Sequence, residues 1–226
     1  ATGSFWFKRN GTGTQIIFLG EDVPGTGYFR IRFASSDRLT VDGRDSTGDA
    51  LDTFMNSSTI ITDSEWHHAL FSLDVTDNSM RHLYIDGVDV TNNSATTDTD
   101  FGFGNDLWVG SQPALTNYFD GGMADLWVDF GTYIDFSVAA NRAQFIDANG
   151  FPVDLGADGS RPTGSPPDIF LSGDTATWHT NKGTAGGFTE NGALTDALTD
   201  PGENLGPTAG LVAWYKLDGS NDSAPT

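Results

Sequence analysis

Apolar and polar side chains alternate in short runs along the first 130 residues, and Gly, Asn, Asp and Pro bound these runs. A two-residue period places successive side chains on opposite faces of a strand, which is typical of antiparallel sheets with one buried face. The runs predict nine strands, which require two sheets. The predicted strands are Ser4–Arg9, Gln15–Gly20, Tyr28–Ala34, Arg38–Asp42, Ser58–Ile61, Trp66–Asp74, Met80–Ile85, Leu107–Gly110 and Gly122–Phe130.

Asp86-Gly87 predicts a tight hairpin between Leu83-Tyr84-Ile85 and Val88-Asp89-Val90. The two residue types tolerate the positive φ angles that both central positions of a type I′ turn require. These strands and turns define a first unit, residues 1–134, that we expect to form a β-sandwich.

The pattern changes after residue 134. Val138, Phe145 and Ile146 follow a helical spacing, with Ser137 as the N-cap and Gly150 beyond the end, and predict one short helix within residues 135–150. Residues 151–209 are rich in Gly, Pro, Asp and Thr and predict a long loop-rich extension. Within residues 210–226, Leu211–Leu217 predicts a terminal strand, which either completes the sandwich or starts a second copy of it.

The charge composition supports a β fold and excludes several partners. The 226 residues include 31 acidic and 11 basic side chains, a formal net charge of −20. Of the acids 27 are Asp, which favours caps and turns, and only 4 are Glu, so a helical bundle is excluded. A strongly negative chain repels phosphate and anionic lipid, so we expect no nucleic-acid partner. Six of the basic residues lie within positions 8–44.

The chain has no cysteine, which excludes disulfide cross-links, Cys-ligated zinc and thiol nucleophiles. No apolar run approaches the roughly 20 residues that span a bilayer, so we expect no membrane insertion. A sheet core must therefore stabilise the fold without covalent cross-links.

Five segments resemble, in order and spacing, the laminin-G-like domains of the concanavalin A-like lectin/glucanase superfamily. They are Ser4-Phe5-Trp6-Phe7-Lys8, Ser64-Glu65-Trp66-His67-His68, Leu83-Tyr84-Ile85-Asp86-Gly87, Leu107-Trp108-Val109-Gly110 and Phe119-Asp120-Gly121-Gly122-Met123-Ala124-Asp125-Leu126. The resemblance covers about residues 4 to 130. It implies an all-β, two-sheet antiparallel jelly-roll sandwich, which such domains often use to bind glycans or proteins, often with a calcium ion at the rim.

A second resemblance concerns the segments that follow. Asn141–Gly150 and Val153–Gly156 look like extensions on laminin-G-like structural proteins of tailed phages, particularly marine ones. Leu211–Gly219 looks like the way a laminin-G-like domain begins, so we expect the chain to be an excerpt of a longer protein.

The superfamily also contains retaining glucanases, whose catalytic strand carries a Glu-x-Asp-x-x-Glu pattern. The matching strand has Met123 and Val128 at the two glutamate positions and retains only the middle Asp125. One carboxylate cannot act both as nucleophile and as acid/base, so we expect no enzyme.

The resemblance implies a calcium site at the rim of the sandwich. Ca²⁺ binds six to eight oxygens, which Asp-rich loops supply. The family's ligand positions correspond to Asn105 and Asp106 before one strand, and to Asp42 and Asp45 after another. Ca²⁺ is the only cofactor that the sequence suggests. The alternative is that these four residues are solvated side chains in turns.

A glycan site needs exposed aromatic rings beside amides or carboxylates. Gln112, Asn117, Tyr118 and Phe119 occupy one predicted loop, and Trp178 lies in the extension. The alternative for each aromatic residue is core packing. The adjacent His67 and His68 should point to opposite faces of a strand, so they cannot chelate one metal and are interpreted as structural.

Three classes of function remain. The first is a non-enzymatic virion surface protein of a tailed, marine bacteriophage, a head decoration or fibre component, with other virion proteins, copies of itself or host-surface glycans as partners. The second is a secreted bacterial carbohydrate-binding or adhesion module, so the location is extracellular in both cases. The third class is a glycoside hydrolase, which is the least favoured because this chain lacks the two catalytic glutamates of the glucanases.

Overall fold

The fold consists of two antiparallel six-stranded sheets in a computed structural model, which describes residues 1–21, 27–44, 52–93, 106–112, 117–197 and 199–201. The first sheet has the order β12-β11-β1-β6-β7-β8 and the second the order β10-β2-β3-β4-β5-β9. The strands are β1 Thr2–Arg9, β2 Gln15–Glu21, β3 Tyr28–Phe33, β4 Leu39–Arg44, β5 Asp52–Ser57, β6 Trp66–Leu73, β7 Arg81–Ile85, β8 Val88–Asp89, β9 Thr91–Asn93, β10 Asp106–Val109, β11 Gly121–Asp129 and β12 Ile169–Leu171.

Two short helical segments complete the described structure, the 3-10 turn Asn78–Met80 and the four-residue helix α1, Ala139–Arg142. No helix in the described ranges is long and apolar enough to cross a membrane.

The main core fills the space between the two sheets. Alternate residues of each strand point into it, such as Phe5 and Phe7 of β1 facing Phe33 of β3, with the Phe7 and Phe33 ring centroids 5.3 Å apart. Such edge-to-face aromatic packing is favourable and buries a large apolar area. The buried aromatic rings therefore supply stability that other small β domains obtain from disulfide bonds.

A second core covers the outer face of the first sheet. Trp6 of β1 and Trp127 of β11 point away from the main core and pack under residues that follow β11, including Phe136 and Phe145. All residues after β11 are called the extension from here on. The Trp127 indole N–H donates to the Gly159 carbonyl at 2.8 Å, and its ring meets that of Phe145 edge-on at 5.3 Å. Residues 130–171 therefore form a third layer and supply strand β12, whereas the sequence predicted a short helix followed by a loop-rich segment.

The all-β two-sheet sandwich is confirmed, and so is the Asp86-Gly87 turn, with φ angles of 51° and 76°. The predicted strand Ser58–Ile61 is wrong, because pairing ends at Ser57 of β5. The Ser57 hydroxyl donates to the Thr59 carbonyl at 2.6 Å, which turns the chain out of the sheet. Strands β5, β9 and β12 were not predicted, whereas β8 is the second arm of the predicted Asp86-Gly87 hairpin.

The predicted helix is shorter than its spacing suggested, and Ser137 is not its N-cap. Val138 occupies the N-cap position, while the Ser137 hydroxyl donates to the Asp135 carboxylate at 2.6 Å. The local Asp135–Ser137 turn competes with helix capping for the same hydroxyl. The predicted strand Leu211–Leu217 lies outside the described residues.

His67 and His68 face opposite sides of β6, as predicted, and their pKa values shift in opposite directions. His68 is buried beside Trp6, 2.9 Å from the Ser4 hydroxyl, and burial lowers its pKa to about 3. Partial burial also disfavours the charged form of His67, but hydrogen bonds to Asp86 and Asp63, each 2.7 Å long, outweigh it and raise the pKa to about 9.

The contacts of His67 with the Asp63 and Asp86 carboxylates predict that the protein becomes less stable at alkaline pH. A raised pKa in the folded state stabilises the protein below the unfolded pKa of about 6.5, and this contribution disappears as the pH rises through about 9. We expect the thermal midpoint to fall between pH 6.5 and 9, and His67→Asn to flatten that fall. A His179→Asn variant, distant from Asp63 and Asp86 in the sequence, serves as the control, and an unchanged slope in His67→Asn would contradict this origin.

Candidate functional site

A groove of about 1080 Å³ opens along one side of the sandwich. Its walls come from β10, which is the edge of the second sheet, from β11 of the first sheet and from three stretches of the extension. Those stretches are residues 147–156, 170–178 and 194–201. The extension thus converts an open side of the sandwich into a concave surface, the usual form of a ligand site.

The wall formed by β11 depends on a bulge at Asp125. The pairing of β1 with β11 shifts register between Ser4 and Trp6, and Asp125 takes a positive φ of 47°. Strand β12 pairs only with Leu126, Trp127 and Val128 of β11. Because a bulge disrupts the ladder locally, Gly121–Asp125 faces the groove, and no described strand pairs with it on that side.

Asp125 combines an uncommon backbone conformation with a perturbed carboxyl group. Burial raises its pKa, and the Ser172 hydroxyl and the Lys182 ammonium only partly offset this effect. Lys182 is fixed by donating to the Ser172 carbonyl at 2.6 Å. A partly buried carboxyl with a raised pKa, placed in a groove, is a typical feature of a functional site.

Aromatic rings and carboxylates both line the groove. The aromatic lining residues are Trp66, Phe119, Phe151, Phe170 and Trp178. The acidic lining residues are Asp125, Asp147, Asp154, Asp174, Asp196 and Asp200. Arg161 pairs with Asp154 at 2.6 Å, and the Lys182 ammonium attracts Asp125. The groove therefore repels anions and offers both flat apolar surfaces and hydrogen-bond acceptors.

Two of the five predicted glycan residues line this groove, Phe119 and Trp178, although they are distant in the sequence. Trp178 also packs against the main core, and its indole N–H has no hydrogen-bond partner among the described residues. Tyr118, which is 55% exposed, lies next to the groove without lining it, as do Gln112 and the exposed Asn117.

The sequence did not indicate Asp125, Phe151 or Phe170 as groove residues. Asp125 matched the middle position of the glucanase pattern, yet its bulge is set by pairing with a strand more than a hundred residues away. Phe170 lies in the one apolar run of the extension, and that run was the available signal.

Asp42 does not fit a calcium site, because two arginines already occupy its fully buried carboxylate. Arg30 donates from Nε to Oδ1 at 2.7 Å and Arg32 donates from Nε to Oδ2 at 2.7 Å. Burial lowers the pKa of Arg30, but hydrogen bonding and attraction to Asp42 outweigh it and leave a net raised value. A cation at Asp42 would have to displace both guanidinium groups.

Of the other three predicted calcium ligands, the structure describes only Asp106. Asp106 is exposed at the rim, opposite Glu21 of β2, whereas Asp45 and Asn105 lie outside the described residues. The described part of the chain contains no group of three or more metal-ligating His, Asp or Glu side chains. Calcium binding by Asp106 and its neighbours stays a prediction.

The buried carboxylate predicts a calcium-independent role for Asp42. We expect Asp42→Asn to lower the free energy of unfolding by about 3 kcal/mol, because it leaves two mostly buried guanidinium groups without their counter-charge. Denaturant melts with millimolar Ca²⁺ and with a chelator should give the same loss. The exposed Asp106→Asn should change stability by less than about 0.5 kcal/mol in chelator. Rescue of Asp42→Asn by Ca²⁺ would contradict the assignment.

A family model agrees with the architecture. Residues 1–129 match the Laminin_G_3 model of the concanavalin A-like lectin/glucanases superfamily, which is more than half of the chain. No curated protein matches the sequence.

Several solved structures are similar in fold. Domain 4 of AbnA, a GH43 extracellular arabinanase from Geobacillus stearothermophilus in complex with arabinotriose, is 19% identical over 55% of this chain and 57% of that chain, with a TM-score of 0.43. Domains LG4-5 of mouse laminin α1 are 15% identical over 61% of this chain and 37% of that one, with a TM-score of 0.41.

A third structure is CBM40 of the Ruminococcus gnavus IT-sialidase bound to α2,3-sialyllactose. It is 13% identical over 54% of this chain and 70% of that chain, with a TM-score of 0.41. The matches therefore span from about a third to about two thirds of the similar chains. Similarities of this size carry no information about the ligand of the present protein.

Proposed function

The chain belongs to the concanavalin A-like lectin/glucanases superfamily, and we propose that it is a non-enzymatic carbohydrate-binding β-sandwich whose ligand occupies the groove beside β11. The observation that carries this proposal is that five aromatic rings and six carboxylates line one concave surface. Sugar rings present C–H faces that pack on aromatic rings and hydroxyls that donate to carboxylates.

The charge of the groove favours a neutral glycan. Six of the described lining residues are aspartates and no described lining residue is basic, although Arg161 pairs with Asp154 and Lys182 attracts Asp125 from outside the lining. An acidic sugar would bring a further negative charge into this field, at a cost that low ionic strength increases. We therefore propose a neutral oligosaccharide rather than a uronate or sialate.

The absence of catalysis is part of the proposal. Val128, at one glutamate position of the glucanase pattern, is fully buried in the main core, and Met123, at the other, packs against it. Val128 cannot present a carboxylate to the groove without disrupting the core, and Met123, which lines the groove, has no carboxylate, so the pair of carboxylates that a retaining glucanase needs is missing. Release of reducing sugar from a bound glycan would contradict this part of the proposal.

Trp178→Ala should lower affinity for a neutral oligosaccharide about tenfold, which corresponds to roughly 1.4 kcal/mol. The reason is the loss of a lining aromatic ring. The measurement is a glycan array of neutral and acidic oligosaccharides, followed by calorimetric titration of the best neutral ligand.

Tyr118→Ala provides the matched control, since Tyr118 is an exposed aromatic residue outside the groove lining. It should keep wild-type affinity, and both variants should keep the wild-type circular dichroism spectrum. Equal effects of the two substitutions, or binding confined to acidic glycans, would contradict the groove as the site.

We further propose that the protein is displayed on the surface of a tailed-phage virion, as a head decoration or fibre component. The support is the resemblance of Asn141–Gly150 and Val153–Gly156 to extensions on phage structural proteins. Peptides of this chain should be detected by mass spectrometry in purified particles at a stoichiometry typical of structural proteins. Detection only in the secreted fraction of a bacterial culture would favour a secreted adhesion module instead.

A further inference from the structure

The edge of the first sheet is only partly covered where it borders the groove. Strand β12 pairs with Leu126–Val128 of β11 and then leaves the edge, because the chain turns at Gly173 with a φ of 99°. Lys182 holds this turn by donating to the Ser172 carbonyl at 2.6 Å. On the side away from β1, no described strand pairs with Gly121–Asp125.

This edge is open to another chain. Gly121 is exposed, the four residues after it are half-buried, and Gly121, Gly122 and Ala124 have side chains too small to cover the backbone. In an antiparallel pair, alternate residues direct both N–H and C=O away from the neighbouring strand. Such unpaired groups are the template on which another strand adds. The bulge at Asp125 ends the template, which therefore spans five residues or about 17 Å.

The groove supplies contacts for both faces of an added strand. Phe119 and Trp178 line it and pack against the main core, on the inner side of the first sheet. Leu155 and Phe170 also line it and belong to the second core, on the outer side of that sheet. Because alternate side chains of a strand point to opposite faces, a strand in line with β12 would direct one set toward each pair.

The charge of the groove selects the partner. Six of its described lining residues are aspartates and none is basic, although Arg161 pairs with Asp154 and Lys182 attracts Asp125 from outside the lining. An extended segment with Lys or Arg at alternate positions is attracted to this surface, whereas an acidic segment is repelled. Its cationic groups can also pack on the faces of the aromatic lining residues.

A second copy of this chain does not have the required chemistry. Each copy carries a formal net charge of −20, so two copies repel each other. Much of the positive charge is already engaged, since Arg9 and Arg81 are fully buried and Arg30 and Arg32 pair with Asp42. The charge therefore indicates a basic segment of a different protein.

We propose that Gly121–Asp125 is a docking edge, at which an extended cationic segment of another protein adds as a strand to the first sheet, in line with β12. The partner's backbone pairs with this edge, and its basic side chains face the aspartates of the groove. The docking edge goes beyond glycan binding, and only the expected competition between the two ligands rests on the proposed function.

A synthetic heptapeptide of alternating lysine and valine, with blocked ends, tests the docking edge on the full-length protein. Two derivatives carry three N-methyl groups each, so their charge and sequence are the same. Methyl groups on alternate residues leave one edge of the peptide free to pair, whereas methyl groups on three consecutive central residues block both edges. In calorimetric titrations at low ionic strength, we expect the first derivative to bind like the unmodified peptide and the second about tenfold more weakly. Equal affinities would show attraction by charge alone and overturn the pairing.

Amide hydrogen exchange locates the bound peptide. Binding should slow exchange of the outward-facing amides of Gly121–Asp125, because they gain hydrogen-bond partners. Val88–Asp89 of β8, at the opposite edge of the same sheet, serves as the control and should exchange at an unchanged rate. Protection of β8 instead, or no protection of Gly121–Asp125, would overturn the assignment of the edge.

A pair of double variants tests the role of the aspartates. Asp174→Asn with Asp196→Asn removes two exposed carboxylates from the groove lining and should weaken peptide binding about fivefold at low ionic strength. Asp77→Asn with Asp89→Asn removes two carboxylates outside the lining and should change the affinity less than about twofold. Equal effects of the two double variants would overturn the charge complementarity.

Competition separates the docking edge from the proposed function. We expect the peptide and the best neutral glycan of the array to displace each other, since both use the same groove. If the peptide binds at the edge while no neutral glycan binds, the docking edge stands and the proposed function fails. If a neutral glycan binds in the groove and the peptide does not bind, the proposed function stands and the docking edge fails.

Discussion

The structure depends on burying both faces of the first sheet. In β1, Phe5 and Phe7 point into the main core while Trp6 points to the opposite side, so neither face can be left in water. The second sheet covers one face, and the extension must cover the other. This double burial explains why residues 130–171 pack as a layer, and why the groove exists where the extension overhangs the edge of the sandwich.

The bulge at Asp125 links this constraint to the site. It interrupts the pairing of β11, ends β12 at Leu171 and leaves an edge inside the groove. A non-glycine residue with positive φ costs about 1 kcal/mol or more, so the surrounding ladder must maintain it. The same interruption places the carboxyl group of Asp125, whose pKa is raised by burial, in the groove wall near Ser172.

The sequence predicted those features that depend on local periodicity. Alternation identified most strands, and it placed His67 and His68 on opposite faces, where their pKa values move in opposite directions. It could not predict β12, because three apolar residues acquire strand pairing only through the distant β11. It also could not show that Asp42 is held by two arginines, since a strand residue before a turn has the same local pattern whether it binds calcium or a guanidinium group.

The excess negative charge has a structural explanation in the use made of the basic residues. Arg9 donates to the Ile61 and Gly13 carbonyls, Arg38 to the Ser57 carbonyl, and Arg81 to the Asp74 and Val75 carbonyls. These guanidinium groups tie loops to the sheets, and two of them, Arg9 and Arg81, are fully buried. Surface aspartates are therefore left with few counter-charges. Physiological salt screens their repulsion beyond about 8 Å, but it screens a charge inside the groove much less. The six aspartates of the groove thus support the proposed preference for neutral over acidic ligands.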